Sequence, residues 1–229
     1  MKTFGIIAAM DEEHVEILNI MENVYSEKYF EKEFMIGTIN NTKCILIKSG
    51  VGKVNAARTT QILIDKFNVD AVINVGSAGA LNEALDYGDL IISTSCVQHD
   101  FDITCFDHPK GYITDIGVEI KADEELIETL KNASEKIDKS VKVVKGIIAT
   151  GDQFNCTPDI KYTLRQTFNA ECEEMEGAAV AQVCMLCNVP FVIVRSISDK
   201  LNSAEEIEFY EYLTMASKRC AKIIKEALK

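Results

Sequence analysis

Ala71-Val72-Ile73-Asn74-Val75-Gly76-Ser77-Ala78-Gly79 is the stretch on which the fold turns: a short apolar run, rich in β-branched residues, that passes straight into a glycine-rich tip. The run at 71–75 shows no polar alternation, which suits a strand covered on both faces. Five further runs read the same way, at 3–9, 44–49, 90–95, 141–149 and 191–197. Amphipathic helices lie between them. One covers 55–67. Another covers 123–137, with Leu126, Ile127, Leu130, Ala133 and Ile137 at helical spacing. A small apolar helix at 175–187 ends before Pro190. A last helix opens on the capping-box pattern Ser203-x-x-Glu206 and runs to the C-terminus. Strands alternating with helices predict an α/β layered fold with a largely parallel sheet. Ligands in such folds sit beyond the carboxyl ends of the strands, so the residues at those tips carry the functional reading.

The composition sets the frame for that reading. With 229 residues, 47% hydrophobic and 26% charged, the chain has an ordinary globular make-up and enough length for a well-buried core. No repeat or Pro/Gly-rich linker divides it, so 1–229 reads as one domain. The net charge of −12 and the lack of a basic run argue against a nucleic-acid partner. The apolar stretch from Phe4 to Met10 is too short for a membrane span, and Asp11, Glu12 and Glu13 are the wrong flank for a signal peptide. Eight cysteines without framework spacing fit free thiols in a reducing cytoplasm. Cys184 and Cys187 form a CxxC pair with no second pair beside it, which reads as helix packing.

Five tips stand out. Ala9-Met10-Asp11-Glu12-Glu13 follows the first strand, and Gly76-Ser77-Ala78-Gly79 follows 71–75. Thr150-Gly151-Asp152-Gln153-Phe154-Asn155 follows 141–149. Glu173-Glu174-Met175-Glu176-Gly177 precedes the small apolar helix, and Ser198-Asp199 follows 191–197. Four carry carboxylates, the fifth is glycine-rich, and Phe154 is an aromatic at a tip. Each has an ordinary alternative: acidic residues favoured at a helix start, glycines in a turn, Ser-Asp as a cap, phenylalanine in the core. Their joint placement makes the functional case. Rival motifs fail. Gly50-Val51-Gly52-Lys53-Val54-Asn55 lacks the third glycine of a dinucleotide loop and the Ser or Thr of a P-loop. His14, His99 and His108 have no metal-ligand spacing, so neither a nicotinamide cofactor nor a metal is expected.

On these residues the chain resembles the nucleosidase branch of the purine nucleoside phosphorylase/uridine phosphorylase superfamily. The likeness extends through 48–57, 74–79, 99–102, 150–154, 174–177 and 194–199, in the family's order. It implies a three-layer α/β/α fold with a central twisted, mostly parallel mixed sheet, no cofactor, and a homodimer. It also implies hydrolysis of the N-glycosidic bond of 5'-methylthioadenosine and S-adenosylhomocysteine. On the resemblance, Glu13 activates the attacking water, and Asp199, oriented by Ser198, protonates N7 of adenine. Glu176 holds the ribose hydroxyls and Met175 packs on the sugar. Phe154 stacks on the base, the backbone at Asn155 reads its edge, and Ser77, Ala78 and Gly79 line the base and ribose site. Ala9, Met10, Val51, Glu174 and Phe209 complete the expected substrate-binding set. Ile103 and Phe106 would be lent to a partner subunit's pocket. The chain departs from the commoner family pattern at Gln98 and at Asn155-Cys156.

The chemistry asks for such groups. Breaking the bond leaves positive charge on the ribose, which needs an anion, and negative charge on the base, which needs a proton. As an acid, Asp199 has to carry a proton near neutral pH, and burial beside other carboxylates is the expected means. Phosphorolysis is the nearest alternative and would need arginines around the phosphate. Here Asn74-Val75 precedes Gly76, carboxylates follow the first strand, and Arg58 and Arg195 fall in a helix and a strand, so water is the expected nucleophile. Aminodeoxyfutalosine is an alternative substrate of the same reaction.

Overall fold

A computed structural model describes residues 2–137, 141–155, 157–201 and 206–229, the side chains of 206–209 excepted. Among these residues ten strands and six α-helices follow one another: β1 (Thr3–Ala8), α1 (Asp11–Leu18), β2 (Glu22–Tyr29), β3 (Lys32–Ile39), β4 (Thr42–Lys48), α2 (Lys53–Phe67), β5 (Ala71–Ala80), β6 (Leu90–Gln98), β7 (Ile120–Lys121), α3 (Glu124–Ile137), β8 (Val143–Thr150), α4 (Pro158–Phe168), β9 (Ala170–Glu174), α5 (Gly177–Leu186), β10 (Phe191–Asp199) and α6 (Glu206–Ala227). The capping-box serine, Ser203, lies outside the described residues.

All ten strands join one mixed sheet with helices on both sides. β1 lies between β4 and β5, parallel to each, and β10 lies parallel to β5. Most of the runs read as doubly covered strands are so covered, with Ile6, Ile7, Leu46, Val72, Ile92, Ile193 and Val194 all sealed in the core, whereas in β8 only the last three residues are buried. On one side α2 packs on α5, and on the other α1 and α3 pack on α6.

The largely parallel sheet of the sequence reading is modified at both ends. At the outer end, β3 adds antiparallel to β4, and β2 antiparallel to β3. At the other end the sheet closes. β10 pairs antiparallel with β6, β6 and β8 are parallel, β8 and β9 are parallel, and β9 returns antiparallel to β5. β5, β10, β6, β8 and β9 therefore form a hydrogen-bonded ring. This closure has a local consequence. β8 and β9 run opposite to β5 and β10, yet the last residues of β9 cross those of β5, with Glu173 opposite Gly79. Carboxyl ends of strands that run in opposite directions meet at one place.

Two boundaries differ from the sequence reading for the same reason. β5 does not stop at Val75 but continues through the glycine-rich tip to Ala80, paired with β10 and then β9. The glycines are strand residues there, not turn residues. β10 likewise includes Ser198 and Asp199 as its last two positions.

A test of this layering is the contrast between Ile6 and Val24. Ile6→Ala, in the sealed β1, should cost about 2–5 kcal/mol, whereas Val24→Ala, on the exposed edge strand β2, should stay within about 0.5 kcal/mol. Urea denaturation of both variants measures the difference.

Candidate active site

The ends of these strands enclose a cavity of about 550 Å³, counted with its open mouth. Ala9 and Met10 enter from the end of β1, and Glu13 from the first turn of α1. Val51 comes from the loop before α2. β5 contributes Ser77, Ala78 and Gly79, and the segment after β8 contributes Gln153, Phe154 and Asn155. Glu173 and Glu174 come from β9, Met175 and Glu176 from its exit, and Ser198 and Asp199 from β10. Phe154 is 53% exposed, at the rim. Of the residues expected at the site, one cannot be placed against this wall and two others stand apart from it. The side chain of Phe209 lies outside the described residues. Ile103 precedes a 3-10 turn that Phe106 ends; neither lines the cavity, and Phe106 is 72% exposed.

Glu13 is buried and tightly held. One carboxylate oxygen, Oε2, accepts the amides of Ala9 at 2.9 Å and Met10 at 3.1 Å. This is the helix-start arrangement in which the third helical residue reaches back over the cap. The other, Oε1, accepts the Ser77 amide at 3.0 Å and the Ser77 hydroxyl at 3.3 Å. The ordinary alternative, a carboxylate favoured at a helix start, is therefore also true of Glu13, and the same geometry aims it at β5.

Beside it lies Arg195, 1% exposed. Its Nη2 donates to Asn74 Oδ1 at 2.6 Å and to Glu174 Oε2, and stands 3.6 Å from Glu176 Oε2. Burial opposes the guanidinium charge, but Glu174, Glu176 and Glu13 outweigh it and raise its pKa. A Cβ on Gly76 would come 2.3 Å from Arg195 Nη1 and 2.7 Å from Glu13 Oε1, so only glycine fits between them. Glu174 has little capacity left for a ligand. It accepts from Thr150 Oγ1, from Arg195, and from the amides of Glu176 and Gly177 at 3.0 and 2.7 Å. Glu176 Oε1 accepts the Gly52 amide at 2.8 Å. Burial and the adjacent Glu174 push the Glu176 carboxyl up, against the pull of Arg195.

Asp199 stands at the opposite wall, 2% exposed. Its Oδ1 accepts from Ser198 Oγ at 3.1 Å, as the sequence reading has it. The sequence reading set it beside other carboxylates, and the structure adds a cation to that neighbourhood. Oδ2 is ion-paired at 2.8 Å with Lys161 Nζ, which is wholly buried. A Cβ on Gly79 would come 2.7 Å from Oδ2, which explains the second glycine of the tip. Next to this pair, Glu173 Oε2 accepts from Asn155 Nδ2 at 2.8 Å.

The sequence profile of the phosphorylase superfamily matches residues 3–229. The chain belongs to the phosphorylase superfamily. Within it, the chain is 39% identical to the 5'-methylthioadenosine/S-adenosylhomocysteine nucleosidase of Bacillus subtilis, over 98% of this chain and 97% of that one. Among solved structures, the corresponding nucleosidase of Neisseria meningitidis in complex with methylthio-immucillin-A superposes with a TM-score of 0.95 at 35% identity, covering 100% and 99% of the two chains. Futalosine hydrolase of Helicobacter pylori superposes with a TM-score of 0.93 at 33% identity, covering 99% and 97%.

Two features of this superfamily member were not singled out from the sequence. Lys161 is one. It heads the buried stripe of α4, with Leu164 and Phe168 three and seven residues on, and a lysine on an apolar stripe is a signal that could have been read. Glu173 is the other: it lies within a quoted motif, but nothing in its spacing separates it from Glu174. The motif Gly50–Asn55 has a bracing role. Lys53 Nζ pairs with Asp100 at 2.6 Å, its amide donates to Asp152 Oδ1 at 2.8 Å, and the Asp152 amide donates to Asp100 Oδ2 at 2.9 Å.

Burial raises the Glu173 carboxyl from 4.5 to about 7, against the Asn155 hydrogen bond and the Lys161 charge, with Asp199 adding to the rise. The folded state thus holds a proton that the unfolded state releases between these values. The associated stability is complete below about 4.5 and is lost as pH rises to about 7. Each unit is worth about 1.4 kcal/mol. The melting temperature of the wild type should fall more steeply from pH 5 to 7 than that of Glu173→Gln, and thermal denaturation across that range checks the slope.

Proposed function

We propose that the protein hydrolyses the N-glycosidic bond of 5'-methylthioadenosine and S-adenosylhomocysteine, with 5'-deoxyadenosine as a further substrate, and releases adenine. The observation that carries this reading is that Glu13, Glu176 and Asp199, from three distant parts of the chain, line one cavity. Two of the relatives named above are 5'-methylthioadenosine/S-adenosylhomocysteine nucleosidases, which supports this reading.

Glu13 takes the proton of the attacking water. Glu176 accepts from the ribose hydroxyls, which a carboxyl group does with two oxygens at once. Asp199, oriented by Ser198, protonates N7 of the departing adenine. Phe154 stacks on the base, while Asn155, Ala78 and Gly79 meet its edge and Met175 packs on the sugar. Ala9, Met10 and Val51 stand around the remaining wall. Glu174 works through Arg195 and the start of α5 rather than on the substrate.

Water, not phosphate, is the nucleophile. A phosphate would need a cation free to receive it. Arg195 is shared among Glu174, Glu176 and Glu13, Lys53 is paired with Asp100, and Arg58 is paired with Glu31 on the surface. We also assign the chain to the cytoplasm, as one catalytic domain over 1–229 acting in a homodimer. Ile103 and Phe106 would complete the 5'-substituent pocket of the neighbouring protomer, in keeping with the exposure of Phe106. Among the described residues no helix is long and apolar enough to cross a membrane.

Incubation with methylthioadenosine should release adenine and methylthioribose at the same rate with and without phosphate. Ribose-1-phosphate products would refute hydrolysis. Glu13→Gln and Asp199→Asn should each lower kcat by roughly 10²–10⁴-fold. Running S-adenosylhomocysteine, 5'-deoxyadenosine and aminodeoxyfutalosine beside it ranks the substrates.

A further inference from the structure

The acid of this site has an unusual partner. Asp199 is sealed from solvent, and both its oxygens are engaged, Oδ1 by Ser198 Oγ at 3.1 Å and Oδ2 by Lys161 Nζ at 2.8 Å. Lys161 comes from α4, a helix that contributes no residue to the cavity wall, and it reaches Asp199 from behind that wall with its side chain 0% exposed. A buried lysine is rare unless it is paired. Here the ammonium is anchored twice, to Asp199 and to the Lys200 carbonyl at 3.2 Å. Among the described residues no other cation is ion-paired with Asp199.

On the reading above, Asp199 delivers a proton each time a base departs. A carboxylate held against an ammonium has a proton source at 2.8 Å, and with a base filling the cavity it has no path along which to draw one from solvent. We infer that Lys161 supplies that proton and fixes the carboxyl in place, so that the acid is a Lys161–Asp199 couple; this inference rests on the nucleosidase reading. As the C1'–N9 bond breaks, its electron pair goes to the purine. N7–H forms at the expense of the carboxyl O–H, and that O–H forms at the expense of an Nζ–H of Lys161. The water that adds to C1' gives its proton to Glu13. Lysine is left as the neutral amine, and the site regains its starting state when the base has left and one proton has passed from Glu13 across the emptied cavity to Asp199 and from it to Lys161. No group is oxidised or reduced.

Lysine suits this task and arginine does not. The ammonium can release a proton, whereas a guanidinium keeps its own throughout. A lysine present only to neutralise Asp199 could be replaced by arginine with little effect on turnover. Lys161 acts through Asp199 and is thus a positioning and proton-supplying residue, not a group in contact with the substrate.

The experiment compares wild type, Asp199→Asn, Lys161→Arg, Lys161→Met and Lys161→Ala on methylthioadenosine, with adenine binding measured by calorimetry to establish that each variant retains the folded site. Lys161→Arg keeps the buried charge and guards against loss of fold. The proposal expects kcat to fall at least a hundredfold in Lys161→Arg and Lys161→Met, with KM within about threefold of wild type. It expects Lys161→Ala to regain at least tenfold in kcat with propylammonium, and nothing with tetramethylammonium, which carries charge but no N–H. Lys161→Arg turning over within threefold of wild type overturns it, as does equal rescue of Lys161→Ala by both cations. A wild type that releases no adenine from methylthioadenosine would instead remove the nucleosidase reading. An active wild type with an inactive Asp199→Asn leaves that reading standing whatever the Lys161 variants do.

Discussion

Arg195 carries the charge balance of the cavity. Glu174 is bonded to it, Glu176 lies 3.6 Å away, and Glu13 approaches it across Gly76. Three buried carboxylates so close would repel one another by about 4 kcal/mol per pair at 4 Å in the interior's effective dielectric. One guanidinium offsets that repulsion for all three. Its position is set in turn by Asn74, whose Nδ2 donates to the Ile7 carbonyl of β1 at 3.0 Å while its Oδ1 accepts from Arg195. The line Ile7, Asn74, Arg195, Glu174 therefore crosses β1, β5, β10 and β9, and ties the reacting groups to the middle of the sheet. The residues that neutralise one another here are the same residues that deny phosphate a place to bind.

Packing follows the same constraint. Gly76 and Gly79 sit in an ordinary strand, not in a turn, and they are glycine because a carboxylate or a guanidinium occupies the place of a side chain. Close approach, rather than backbone flexibility, accounts for the glycine-rich tip. Lys53, Asp100 and Asp152 do comparable work at the mouth. They lock three segments far apart in sequence, so that the Gly52 amide is held where Glu176 needs it.

How far this was legible in the sequence depends on which signal each element leaves. The buried strands were readable because both of their faces are apolar, and the tips were readable because they follow such runs. β2 was not, since all but its last residue are exposed and polar residues crowd it. β9, Ala170–Glu174, is five residues with three glutamates, and only its pairing with β5 and β8 makes it a strand. The carboxylates at Glu13, Glu176 and Asp199 stood out only jointly, because each sits at a tip bordering an apolar run. Lys161 stood nowhere near them in sequence, and its helix was not read, so its meeting with Asp199 follows only from the fold.

The ring formed by β5, β10, β6, β8 and β9 also limits how a ligand comes and goes. A structure made of two lobes can gape along the seam between them. Here the staves at the cavity's floor are bonded all the way round, and parting any two would break a ladder of backbone hydrogen bonds. Passage in and out is therefore a matter for the rim, where Phe154 and Val51 stand half in solvent. The floor that carries the reacting groups is the part of the cavity least able to deform.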